Sequence, residues 1–197
     1  MLFAWSAACS AEDPVLVVPW HDAESGLRFI DLHEDPDALD SIPEAEQFPA
    51  LLHSLRALNG ARSPLFTAKC DVWTADAEEL ANVALELQVE PEHAVAGQVS
   101  YIDLLCRDRA LFSSFHQQQH LLGRIERRLA PLDQPFALAE AVVRPALLDF
   151  TSPQEGFCLS LYVKALGADA AAADLAWAGG LAAVTTVLRS RELFPQT

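Results

Sequence analysis

A short pattern that occurs twice constrains the fold of this chain more than any other feature. Residues 28–32 read RFIDL and residues 100–104 read SYIDL, so both contain an aromatic residue, isoleucine, aspartate and leucine in that order. Each copy is followed by a polar segment, then by apolar residues at helical spacing, then by an alternating strand pattern. We therefore expect the chain to contain two related halves.

The order of the predicted elements indicates the fold class. It is β-β-α-β-α over residues 10–92 and β-α-β-β-α over residues 97–197, and the second half lacks one strand of the ferredoxin-like pattern. We predict an α+β fold with two related ferredoxin-like halves, whose helices pack on mostly antiparallel sheet. The halves are expected to share a core, so that residues 1–197 form a single compact domain that contains an internal duplication.

The element boundaries follow from apolar runs, alternation and helical spacing. Strands are predicted at 15–18, 27–32, 65–73, 99–105, 136–144 and 157–164. Helices are predicted at about 48–58, 76–87, 109–130 and 169–191, the last with Arg189 and Arg191 in its final turn. A doubly wound α/β fold is the alternative, but no glycine-rich phosphate turn follows any strand, and we expect no cofactor.

The charge of the chain is concentrated in its first half. Residues 1–98 carry a net charge of −14 out of −15 for the whole chain. An acidic surface repels phosphate backbones and anionic lipids, so we expect no nucleic-acid partner and no membrane association. No apolar run approaches the ~20 residues that cross a bilayer. A basic protein partner or a cation is compatible with this charge, although the acids also serve solubility alone.

Composition also bears on the cellular compartment. None of the four cysteines forms a C-x-x-C pair, which argues against a zinc knuckle or a thioredoxin motif. The apolar start of the chain, residues 1–9, lacks the basic segment of a secretory signal. Arginine and alanine are frequent, whereas only Lys69 and Lys164 are lysines. We expect a soluble, cytoplasmic bacterial protein with reduced thiols.

The two aspartates of the repeated pattern are candidate functional residues. Asp31 and Asp103 occupy the same place in the two copies, so a pseudo-twofold axis could bring their carboxyl groups together and raise the pKa of one of them. The alternative is that each aspartate accepts hydrogen bonds from the turn that follows it. The two possibilities differ in whether the carboxyl groups contact each other.

Loops near the repeated strands supply three more candidates. The same pseudo-twofold would relate the acidic loop 33–46 to the basic loop 105–109, and the two loops could form one cleft. His33, Arg107 and Arg109 are therefore predicted to bind a ligand together with Asp31 and Asp103. Trp20 and the neighbouring histidines could form the rim of a pocket at the same end of the sheet. A solvated polar loop is the alternative for all of them.

Two further groups of residues have a spacing that permits chemistry. His116 and His120 are four residues apart on a predicted helix and could reach one metal ion, but two ligands do not make a complete site, and we predict no metal centre. Cys158, Ser160, Tyr162 and Lys164 lie on one side of a strand. They could hold a reactive thiol, but a polar surface or a subunit contact is the simpler interpretation.

We therefore expect an acidic binding module without catalytic activity, which takes a protein partner or a small ligand and could form a homodimer. The alternative is a small enzyme, a hydrolase or isomerase, that uses the paired carboxylates or the histidine pair at the junction of the halves. A pocket with converging residues of shifted pKa would favour the enzyme.

Overall fold

The fold is α+β, as predicted, with a mostly antiparallel mixed sheet and helices packed on it. It was obtained as a computed structural model that describes residues 1–190 and 192–194. The strands are β1 Leu2–Ala7, β2 Leu16–Val18, β3 Leu65–Thr74, β4 Ala96–Cys106, β5 Ala137–Leu148 and β6 Gln154–Gly167. The α-helices are α1 Pro43–Gln47, α2 Pro49–Asn59, α3 Ala77–Leu87, α4 Arg109–Ser113, α5 Phe115–Leu129 and α6 Ala170–Leu188.

One sheet contains strands from both predicted halves. Its order is β1-β5-β6-β4-β3, and β2 pairs with the same strand as β1, further along β5. The β3, β4, β5 and β6 pairings are antiparallel, whereas β1 and β2 both run parallel to β5. The division into two ferredoxin-like halves is not confirmed.

Helix α6 lies at the centre of the helical side of the sheet. Its Trp177 is 1% exposed, donates a hydrogen bond from Nε1 to Ser100 Oγ at 2.8 Å, and packs edge-on against Phe48. Helix α2 packs against α6, and buried leucines of α5 join the same core. The buried side chains of these helices therefore share one interior.

The opposite side of the sheet is only partly covered. Val83 of α3 packs with Leu138 and Leu166 in a small second core at one end. Asp76 caps α3 by accepting hydrogen bonds from the backbone N–H groups of Glu78 and Glu79 at 2.9 Å. Beyond this small core, Tyr162 and Lys164 of β6 are partly exposed, whereas Ser160 and Cys158 are buried.

The strand predicted at 27–32 is wrong. This segment makes a single antiparallel bridge, between His21 and Arg28, and then turns away from the sheet. The carboxylate of Asp31 accepts hydrogen bonds from the backbone N–H groups of His33 at 3.0 Å and Glu34 at 3.3 Å. These bonds stabilise a turn in place of strand pairing, because a short acceptor side chain competes for the backbone donors.

Three other elements differ from the prediction. The start of the chain forms strand β1, and short helical turns at Pro36–Ser41 and α1 interrupt the acidic loop predicted over 33–46. The helix predicted at 109–130 is two helices, because Ser114 has an extended backbone and caps α5 by accepting from the N–H of Gln117 at 3.3 Å. Arg191 of the last predicted helix lies outside the described residues.

Helix α6 also bears on the expectation that no segment could cross a membrane. Among the described residues it is the one helix long and apolar enough to do so by length and composition, with 39% of the relevant window buried. In this fold its apolar side contacts the sheet through residues such as Trp177 and Leu181. A helix in the core of a folded domain meets the same two criteria.

Candidate ligand-binding site

The structure brings two of the predicted ligand-binding residues near each other. Partial burial lowers the pKa of Arg107, and the carboxylates of Asp31 and Glu34 lie close enough to oppose that shift. Arg107 is held by a hydrogen bond from Nε to the Leu65 carbonyl at 3.2 Å and by the Phe66 ring. This neighbourhood joins an acidic turn to a basic side chain at the start of β3.

The other two loop candidates are less engaged. Arg109 is exposed as the first residue of α4. His33 is partly buried, and its backbone N–H is bound in the turn at Asp31. Their role in ligand binding stays a prediction.

Asp103 lies inside strand β4 rather than at a turn. The residue is 8% exposed, and its carboxyl group accepts a hydrogen bond from Ser160 Oγ at 2.5 Å. Burial raises the pKa of Asp103, whereas the Ser160 bond and the charges of Arg144 and Lys69 act to lower it. Asp103 and Asp31 thus have separate hydrogen-bond partners.

The predicted row of polar residues on β6 divides into a buried part and a half-exposed part. Cys158 and Ser160 are buried, whereas Tyr162 and Lys164 are partly exposed. Lys164 pairs with Glu140 at 2.9 Å. Across the same face, Arg144 donates a hydrogen bond to the Tyr162 hydroxyl at 3.0 Å, and its buried Nε has no partner among the described residues. The partly exposed side chains on this face are therefore linked to their neighbours by an ion pair and a hydrogen bond.

We expect Asp103→Asn to increase the free energy of unfolding at pH 7. A carboxyl group whose pKa is raised in the folded state stabilises the protein most at pH values below its unfolded-state pKa of about 3.9. This stabilisation is lost as pH rises through the folded-state pKa. The neutral amide of the introduced asparagine does not ionise, so it avoids that loss. Its oxygen can still accept the hydrogen bond from Ser160 Oγ. Urea unfolding at several pH values should show a difference from wild type that shrinks near pH 4.

The matched control for this change is Asp71→Asn. Asp71 is exposed and lies across from Tyr101 on the neighbouring strand. The control should alter stability little at any pH. A less stable Asp103→Asn protein at pH 7 would mean that the ionised carboxylate is the favoured partner of Ser160.

A separate cavity, here called the Trp20 pocket, lies against strand β3. The β3–β4 register shifts between Thr67 and Cys70, which is a β-bulge at Ala68 and Lys69. Trp20 donates a hydrogen bond from Nε1 to the Ala68 carbonyl at 2.8 Å, and Phe29 donates from its N–H to the Trp20 carbonyl at 2.8 Å. The bulge thus anchors the loop that closes one side of the pocket.

The Trp20 pocket is half open and has a volume of about 170 Å³. A cavity of about 150 Å³ is large enough for benzene. Its walls are mostly apolar and come from the Trp20 loop, the segment before α1, helix α2 and β3; they include Trp20, Leu27, Ile30, Leu32, Ile42 and Leu55. A small apolar ligand would fit these walls.

Charged residues also line the Trp20 pocket. The Lys69 ammonium lies 4.8 Å from the centre of the Trp20 ring, which is a cation–π distance, and Arg28 lies on the same wall. Glu44 contributes one carboxylate. Burial raises the pKa of the Cys70 thiol to about 12, and the Glu44 charge adds to that shift, so the thiol stays protonated near neutral pH.

Sequence reasoning did not single out Lys69 or Arg144. The first sits in a β-bulge, and the second lies opposite Cys158 on β6 and reaches the Tyr162 hydroxyl through its long side chain. A bulge reverses which side chains face the core after it, and nothing in the alternation from 65 to 73 marks where that happens. The rarity of lysine in the chain was the available signal for Lys69.

No protein-family model, curated protein or solved structure matches this chain.

Proposed function

We propose that this protein is a non-catalytic binding module whose small ligand occupies the Trp20 pocket. The observation that carries the proposal is the pocket itself: a half-open cavity of about 170 Å³ whose walls are apolar apart from a few charged groups. Pockets of this kind use the apolar walls for affinity and the charged groups for orientation.

The charges favour a ligand with one anionic group. Lys164 is ion-paired, whereas Lys69 has no carboxylate within salt-bridge distance in the part of the chain that the structure describes. The Lys69 ammonium, which lines the Trp20 pocket, is therefore available to an anionic group of a ligand. A carboxylate bound at Lys69 would place an attached ring against Trp20 and Ile30.

The arrangement supports binding over covalent catalysis. The Cys70 thiol beside the pocket is held protonated, and the Asp31 carboxylate is occupied by its own turn. A nucleophile needs a lowered pKa or an adjacent base, and the Trp20 pocket supplies neither to Cys70.

Benzoate and its neutral analogue benzyl alcohol test the proposal. Both should change the tryptophan fluorescence of the protein, and Trp20→Phe should abolish most of that change. Lys69→Met should weaken the binding of benzoate by tenfold or more, because a hydrogen bond to a charged group contributes about 1.5–3 kcal/mol. The same change should leave benzyl alcohol binding nearly unaltered.

Lys164→Met is the matched control, since it removes the only other lysine from a different part of the sheet. It should leave the binding of both compounds unchanged. If neither compound binds wild-type protein at millimolar concentration, the Trp20 pocket is not a site for ligands of this class. Equal weakening by both lysine substitutions would indicate a general charge effect and no specific contact.

A further inference from the structure

The two histidines of α5 are positioned to act together. His116 and His120 are both exposed, and their Nε2 atoms lie 3.0 Å apart. The ring centroids are 4.4 Å apart and the planes are inclined at 81°, so the rings lean toward one another. One Nε2–H donates a hydrogen bond to the other Nε2, and a metal ion could take the place of that hydrogen.

The two nitrogens are close enough together to bind one ion. Two nitrogens that are each about 2.0–2.1 Å from one ion are about 2.9 Å apart when the angle at the metal is 90°, and about 3.3 Å apart at a tetrahedral angle. The observed 3.0 Å lies within this range, and both side chains are exposed, so small rotations of the rings reach either geometry. Imidazole nitrogens suit Cu²⁺, Ni²⁺ and Zn²⁺, and the affinity of such a site is highest for Cu²⁺.

The surroundings of the pair allow a partly hydrated ion. Both side chains are exposed, so water can complete the coordination shell. The described residues include no group of three or more histidine, cysteine, aspartate or glutamate side chains that could hold a metal, so no richer site competes. The net charge of −15 attracts cations, and Arg124, one turn further along α5, opposes this locally.

We propose that His116 and His120 form a two-histidine surface site for one Cu²⁺ or Ni²⁺ ion. Copper binds more tightly than nickel, in keeping with the general affinity order of divalent ions. Zinc binds more weakly than copper in the same order. This site is separate from the Trp20 pocket and does not depend on the function proposed for it.

Titration of the full chain with CuCl₂ and NiCl₂ tests the site. Isothermal calorimetry should show one ion per chain, and the Cu²⁺ spectrum in electron paramagnetic resonance should show coupling to two imidazole nitrogens. His116→Ala and His120→Ala should each weaken copper binding by at least tenfold, because the second ligand acts at a high effective concentration. The thermal shift caused by copper should fall in the same two variants.

His53→Ala is the matched control. His53 is an exposed histidine on another helix, and its Nδ1 lies 2.5 Å from the Pro49 carbonyl oxygen. This control should retain wild-type copper affinity. Equal copper affinity in wild type and His116→Ala, or a spectrum with a single imidazole nitrogen, would overturn the assignment.

Discussion

Replacement of Trp177 with alanine is expected to lower the free energy of unfolding by about 3–5 kcal/mol, the usual loss for a fully buried large aromatic residue. The indole is 1% exposed and fills the space between α6 and the sheet. Its loss leaves a cavity against Phe48 and removes the hydrogen bond to Ser100 Oγ. Urea unfolding monitored by circular dichroism measures this change.

Two further variants separate the parts of this effect. Trp177→Phe keeps most of the volume and loses the Ser100 bond, so it should have a much smaller effect than alanine. Leu175→Ala, two residues away on α6, removes a side chain that is 76% exposed and should change stability by less than about 0.5 kcal/mol. An effect below about 1 kcal/mol for Trp177→Ala would mean that α6 repacks freely.

Gly167→Ala is expected to destabilise the protein by about 1–3 kcal/mol or more, which is typical of overpacking in a tight contact. Gly167 ends β6 beside the first turn of α6, and an added Cβ would lie 2.7 Å from the backbone carbonyl carbon of Ala172. Backbone atoms cannot rotate away as a side chain does, so the start of α6 must move. The thermal midpoint and the urea midpoint should both fall.

Gly123→Ala is the matched control, with the opposite expected sign. Gly123 lies within α5, and the nearest atom to an added Cβ is Arg127 Nη1 at 3.7 Å, an ordinary contact. Alanine is favoured over glycine in a helix interior by up to about 1 kcal/mol. If both substitutions had the same effect, the close approach at Gly167 would not be the cause.

Sequence reasoning worked best where the signal is local. The alternation along β6 and the helical stripe of α2 depend only on neighbouring residues, and both elements were predicted within a few residues. Strand β1 was missed because its pairing partner, residues 138–143, is far along the chain. The segment 27–32 was predicted as a strand from its apolar pattern. That pattern gives no sign that the Asp31 side chain accepts hydrogen bonds from the backbone and so stabilises a turn.

The repeated pattern was a useful guide to the structure at only one of its two copies. Its second copy, residues 100–104, lies in strand β4, where Asp103 is buried and its pKa is raised. Its first copy, residues 28–32, is a loop. A role found for a residue in one copy therefore does not apply to the matching residue in the other. The Trp20 pocket depends on a bulge and a loop anchor, and such features arise from tertiary contacts that periodicity does not encode.

The pairing of β1 with β5 has a consequence for synthesis on the ribosome. Strand β1 is complete after Ala7, but its partner begins at Ala137. At ~5–20 residues per second, β1 therefore waits on the order of ten seconds before its partner has been made. During that time Phe3 and Trp5 lack the sheet they later pack against. Strand β1 is thus made long before the strand that it pairs with.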